Sequence, residues 1–349
     1  MNDGRTSALP KRLEASLERF ADRRHLVGRP DRVEIQHLVS QIEKLPSAMI
    51  ARLDGEIAYA AKLWHWQRVG IVGRLFQRLR LSDVELLYRW PEIARLFVFH
   101  RDGFLRERAL NQMSEGMQSA FYVTVLAFRL NDWVPQVRAA AARCADRVLP
   151  STNAEIIAQA ALFLLGRRFA WGRWGDEAEA LDRALSRVDV ADALADVLLD
   201  ARRGPMGAIL KHASRWEAMD RHLYGLAANA FLPSVRAVAL QELIEGVARW
   251  PVGWTRQWID KIYGQFRLVR VYDERPVARS CTLESLVEQG ARDRSGAVRK
   301  VAATALVNHR ATLSNRDAVI DLLDEDRSAA IRERVDYVKR ASGQGQESE

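Results

Sequence analysis

The chain has 349 residues, 48% of them hydrophobic and 28% charged, with a formal net charge of +8 and an isoelectric point near 9.8. That length admits two or three ordinary domains or one elongated array, and the longest apolar runs, such as Ala120 to Phe128, are about half as long as a bilayer-crossing helix, so no membrane span is expected. Counted by hundreds, the net charge runs about +5, −2, +7 and, over the last 49 residues, −2, which excludes a continuous basic block.

The N-terminal segment reads as four helices, near 8–26, 31–44, 47–62 and 64–80. Its opening is basic, but Glu14, Glu18 and Asp22 interrupt it and no apolar core follows, so it lacks the layout of a secretory signal and a cytoplasmic protein is expected. The stretch from Lys62 to Arg80 holds the first candidate site. No acidic residue occurs between Ile57 and Ser82, while Lys62, Arg68, Arg74, Arg78 and Arg80 alternate with Trp64, Trp66 and Phe76. Basic residues interleaved with aromatics suit a phosphate backbone with stacked bases, so this is the candidate nucleic-acid surface. Against it, Leu63, Trp66, Leu75, Phe76 and Leu79 fall at helical spacing, which favours a core stripe under an arginine-coated outer face.

From residue 82 onward a phrase recurs: an apolar residue, then Arg, then Ala three positions later. It occurs as Leu105-Arg106 with Ala109, Val137-Arg138 with Ala141, Val235-Arg236 with Ala239 and Val298-Arg299 with Ala302, and again as Ile331-Arg332 with Val335 in the alanine slot. Asp102, Asp132, Asn229, Asp293 and Asp326 precede the five arginines by four to seven residues. Gly103, Pro135, Pro233, Gly296 or Ala329 stands three before each, where a first helical turn tolerates a missing N–H. The arginines are spaced by 32, 98, 63 and 33, close to one, three, two and one multiples of a 33-residue period, and a fixed period of this size marks stacked helical repeats.

The phrase, its turn aspartate and its period resemble the HEAT repeat family, close to armadillo repeats, over roughly Ser82 to Arg340. The resemblance implies an all-α fold, a right-handed α-α superhelix of about seven HEAT-like repeats. It also implies that Arg106, Arg138, Arg236, Arg299 and Arg332 are structural, bonding turns and neighbouring repeats together. Residues 1–81 are then an atypical helical N-terminal cap, 82–340 the repeats, and 341–349, small and polar, a disordered tail.

Between Arg138 and Arg236 helices are expected near 152–166, 176–188, 189–202, 205–214 and 216–230. The interval from Arg236 to Arg299 offers only two, near 253–268 and 276–290, so two full repeats there need a third helix or an irregular loop around "VRVYDERPVAR". The glycine-broken loop from Gly166 to Glu177 is a candidate partner-binding element, because Arg167, Arg168, Trp171, Arg173 and Trp174 are residue types enriched in interface hot spots. The tryptophans could equally fold back to seal the repeat beneath. On the second helices, which line the concave side in HEAT-like arrays, Arg143 with Arg147, Arg183 with Arg187 and Lys211 with Arg215 form basic pairs one turn apart. They read either as a partner-binding stripe or as an ordinary solvated face.

No metal site or cofactor is expected. Cys144 and Cys281 are far apart with no CxxC, and the seven histidines fall in no ligand spacing. GxSxG, P-loop, kinase and zinc-deaminase motifs are missing from the sequence. The leading expectation is a non-enzymatic scaffold or adaptor that binds a protein partner on its concave surface. The alternative is a nucleic-acid-binding HEAT-like protein, up to an enzyme resembling alkylpurine DNA glycosylases, although no catalytic position of that family is matched here.

Overall fold

The computed structural model describes residues 7–23, 32–64, 81–167, 171–279 and 281–343. They fall into two compact lobes, Met1–Leu185 and Ser186–Glu349, each described by itself.

The first lobe is helical throughout its described residues: α1 (Lys11–Arg23), α2 (Arg32–Ile42), α3 (Ile50–Ala60), α4 (Asp83–Arg89), α5 (Ala94–Phe97), α6 (Gly103–Gln112), α7 (Ala120–Leu130), α8 (Pro135–Val148), α9 (Ala154–Arg167) and α10 (Glu179–Leu185). Local chemistry sets the starts. Ser82 and Glu85 form a reciprocal capping box on α4, Asp102 accepts the N–H of Phe104 at 2.9 Å to open α6, and Pro135 occupies the first turn of α8. The core gathers Phe99, Phe121 and Tyr122, and the Tyr122 hydroxyl donates to the Arg95 carbonyl at 3.1 Å, which satisfies a polar group taken out of water.

The second lobe holds α11 (Val188–Asp200), α12 (Met206–Ala213), α13 (Asp220–Asn229), α14 (Pro233–Glu245), β1 (Val247–Asp260), β2 (Gln265–Pro276), α15 (Leu283–Ala291), α16 (Gly296–Asn308), α17 (Arg316–Leu323) and α18 (Ala329–Gly343). Helices here pack closely enough to need small residues. A Cβ on Gly290 of α15 would come within 2.6 Å of Leu240 on α14 and 3.1 Å of Ala302 on α16. The apolar and alanine positions of all five recurring phrases are buried, from Leu105 and Ala109 to Ile331 and Val335.

The five phrase arginines make one shared bond. Each donates to the backbone carbonyl six residues earlier, at His100, Asp132, Ala230, Asp293 and Asp326, over 2.5–3.0 Å. Three also reach forward to the aspartate of the next turn. Arg106 holds Asp132 with two bonds of 2.9 Å, Arg236 holds Asp293 at 2.7 and 2.9 Å, and Arg299 holds Asp326. Asp132, Asp293 and Asp326 therefore each tie two arginines of the series, one through the carboxylate and one through the carbonyl, and the Asp132 carboxylate also takes Arg129 at 3.1 Å. Each also accepts the N–H two residues on, at Val134, Ser295 and Ser328. Bidentate pairing of this kind fixes orientation as well as distance. Asn229 is not part of this pattern, since the carbonyl beside Arg236 belongs to Ala230.

The described residues are mostly helical, in line with the expected all-α class, with one small two-stranded antiparallel sheet added to it. Residues 253–268, expected as a helix, belong to a β-hairpin, and the helix expected over 276–290 begins only at Leu283. The hairpin explains the irregular spacing. Val247 to Pro276 is thirty residues, and removing them from the 63-residue interval leaves 33, the same as the interval from Arg299 to Arg332. Helix α18 runs to Gly343, three residues into the segment expected to be disordered. The helix expected over 64–80 lies outside the described residues from position 65 onward.

Candidate functional site

Gly246 ends α14 in the left-handed conformation (φ 67°) and turns the chain into β1. Both strands have the composition of β structure, with Trp, Val, Thr, Tyr and Phe alternating with polar residues. Asp260 closes the far turn, accepting the N–H groups of Ile262 at 2.8 Å and Tyr263 at 3.1 Å, and Gly264 supplies the left-handed turn residue (φ 66°). The root is fixed to the helices. Ala248 and Trp250 are buried there, and Arg275 donates to the carbonyls of Ser214 and Trp216 and to both oxygens of Asp220. Arg249 bridges Glu245 and Glu274 at 2.7 Å each.

Beyond this root the ribbon stands in solvent, extending about 25 Å at the usual rise per strand residue. Register places Trp254 opposite Arg270, Arg256 opposite Leu268 and Trp258 opposite Phe266, so these six share one face. The guanidinium of Arg270 lies 4.9 Å from the Trp254 ring centre, that of Arg256 lies 4.7 Å from Phe266, and Phe266 meets Trp258 edge-on at 5.6 Å. Cations stacked on aromatic faces are held without being neutralised. The opposite face is more polar, with Thr255, Gln257 and Arg267, the last donating to Gln257 at 2.7 Å. Trp254 remains 58% exposed, Ile259 67% and Ile262 91%. Contiguous exposure of large apolar groups at this scale marks an interaction surface.

Below the face, Glu242 is buried with neither carboxylate oxygen hydrogen-bonded, beside a cavity of about 200 Å³ shared with Lys211, Arg249 and Tyr272. Burial pushes its carboxyl up to about 7. In the first lobe a cavity of about 660 Å³ is lined by Gln36, Gln112 and Gln118, and its charges are met internally, Arg95 by Glu43 at 3.2 Å and Arg32 by Glu92. Among the described residues, no group of three or more His, Cys, Asp or Glu side chains is placed to hold a metal ion.

The residues singled out from sequence lie elsewhere. Arg147 caps the end of α6 by donating to the carbonyls of Leu110, Asn111 and Met113, and Arg143 reaches Asn111 at 3.3 Å. Arg183 pairs with Asp146 and Glu179, Arg187 with Asp189, and Arg215 stacks near Trp216 and Trp250. Most of these basic pairs are thus engaged by the chain itself. Trp171 and Trp174 fold back as well: Trp171 meets Phe128, Phe163 and Trp174, while the Trp174 indole donates to the Ala127 carbonyl at 3.1 Å. Arg167 lies over Phe163, the side chain of Arg173 stays exposed, and Arg168 lies outside the described residues. Of the basic aromatic stretch, Lys62 pairs with Asp22 at 2.6 Å and Trp64 packs near Tyr59, whereas Trp66, Arg68, Arg74 and Arg78 lie outside the described residues. No residue of the hairpin face was singled out, although its alternation of period two was available in "WTRQW" and "FRLVRVY". No helix among the described residues is long and apolar enough to cross a membrane. Comparison of the chain with protein-family models, curated proteins and solved structures gives no match.

Proposed function

We propose that this chain is a non-enzymatic scaffold of HEAT-like helical repeats, wound as a right-handed superhelix, that binds a protein partner chiefly through its hairpin. The observation that carries the reading is a rigidly rooted ribbon whose far half exposes Trp254, Trp258, Ile262 and Phe266 beside Arg256 and Arg270. Trp, Tyr and Arg are the residue types that dominate interface energetics, and helical repeats supply a stiff frame for presenting them. The recurring arginine and aspartate bonds support the repeat reading, and the bonds Arg147 makes to α6 and the ion pairs of Arg183 and Arg187 favour the hairpin over a basic stripe as the contact.

The test is affinity capture from lysate of the cells that make the protein, comparing the full chain with a variant in which residues 252–271 are replaced by Asn-Gly, a turn that closes a two-residue hairpin. Proteins retained by the full chain and lost by the variant support the reading. An unchanged set of captured proteins, or recovery of nucleic acid alone, counts against it.

A further inference from the structure

Resting on that reading, we infer that the far half of the hairpin receives an acidic, extended segment of the partner protein, added as a third strand at the edge of the ribbon. Three observations point there. The first is charge. Among the described residues, Arg256, Lys261 and Arg270 have no carboxylate partner, Arg267 has only the Gln257 amide, and the far ribbon's one acid, Asp260, is occupied by the turn. A surface holding several cations without counter-charge is complementary to carboxylates on whatever covers it.

The second is the backbone. A two-stranded sheet leaves the outer N–H and C=O groups of both strands unpaired, which is the template used in strand addition. Proteins guard such edges with proline or inward charge; here Pro251 and Pro276 stand only at the root.

The third is the kind of apolar surface. Ile259, Ile262 and Leu268 offer no ring to stack on a base and would stay wet against a phosphate backbone, whereas side chains of an added strand can cover them. A lipid surface would have to take in Asp260 and Lys261 at the tip, between those same isoleucines. An edge strand whose acidic side chains lie on the same face as Arg256 and Arg270, alternating with apolar ones, meets all three conditions.

The experiment selects displayed random segments, roughly twelve residues long to match one strand, on the full chain, and measures the selected peptides against R256Q/R270Q and against the chain with 252–271 replaced by Asn-Gly. Both Arg side chains are exposed, and circular dichroism verifies that the variants fold. The expected result is enrichment of segments alternating Asp or Glu with apolar residues, whose affinity falls about tenfold or more in R256Q/R270Q. Selected segments without acidic bias that still need the hairpin overturn this inference and leave the scaffold reading standing. Segments whose binding survives hairpin replacement overturn both. Failure to enrich any segment, or hairpin-dependent binding of single-stranded oligo-dT or of phosphatidylserine vesicles instead of peptides, also overturns the inference.

Discussion

Arg236 and Asp293 are 57 residues apart in the chain, yet the guanidinium and carboxylate are joined by two bonds of 2.7 and 2.9 Å, with the entire β-hairpin looped out between them. The equivalent pairs, Arg106 with Asp132 and Arg299 with Asp326, span 26 and 27 residues with no insertion. The helical frame thus closes the same way with and without the hairpin. Replacing residues 252–271 by Asn-Gly is expected to keep the helical circular dichroism and shift the melting temperature by no more than about 3 °C, since the removed residues contribute little burial. Loss of cooperative melting would show that the ribbon is part of the core.

Removing the Arg236 guanidinium leaves the Asp293 carboxylate with only the Ser295 N–H, and the Ala230 and Phe231 carbonyls without this donor, in a nearly closed site. Arg236→Ala is expected to cost about 3–5 kcal/mol in chemical denaturation, and Arg236→Lys most of that, because a single ammonium cannot reproduce the fork. Arg332→Ala, which gives up one carbonyl bond at the end of the series, should cost well under half as much. Burial of Asp293 works to raise its carboxyl, but the bonds from Arg236 and the Ser295 N–H outweigh it and hold the group below its ordinary 3.8. The pair's stabilisation is therefore present above that value and lost as the pH falls through the depressed one.

Glu242 has the opposite sign. Its folded carboxyl sits near 7 against an ordinary 4.5, so the folded chain binds the proton more tightly and stability falls as the pH rises from 4.5 towards 7. Glu242→Gln should remove that slope and raise stability at pH 8 by up to about 3 kcal/mol. Melting curves of both proteins across this range test it, and parallel pH profiles would contradict it.

Burial pushes the Cys144 thiol up to about 11, while Cys281 is partly exposed. With a thiol reagent at pH 8 the native chain should react rapidly at one cysteine, Cys281, and at Cys144 only on unfolding. Fast modification of both, read by mass spectrometry, would contradict the packing of α8.

Helices and their capping residues were legible in the sequence because Pro, Gly and Asp at the starts act locally. The arginine spacing was legible because the same bond recurs. The hairpin was not, for a specific reason: Trp254, Trp258 and Ile262 fall at intervals of four, which satisfy both a helical stripe and one face of a strand. The remaining signals, Thr255 and Gln257 between tryptophans and the Arg-Val alternation after Phe266, distinguish the two only when weighed together. Likewise, nothing in the spacing of Arg143 and Arg147 reveals that Arg147 caps α6, because the carbonyls it meets lie more than thirty residues earlier in the chain.

The central claim is that the hairpin face is open in the isolated chain and covered in the complex. Covalent footprinting of the indoles, read residue by residue by mass spectrometry, tests this most directly. Trp254 and Trp258 should be modified readily in the isolated protein and protected when the captured partner is added, with Trp174 and Trp250 slow in both. Tryptophans at 254 and 258 that are already protected in isolation, or equally reactive with the partner bound, would contradict the account.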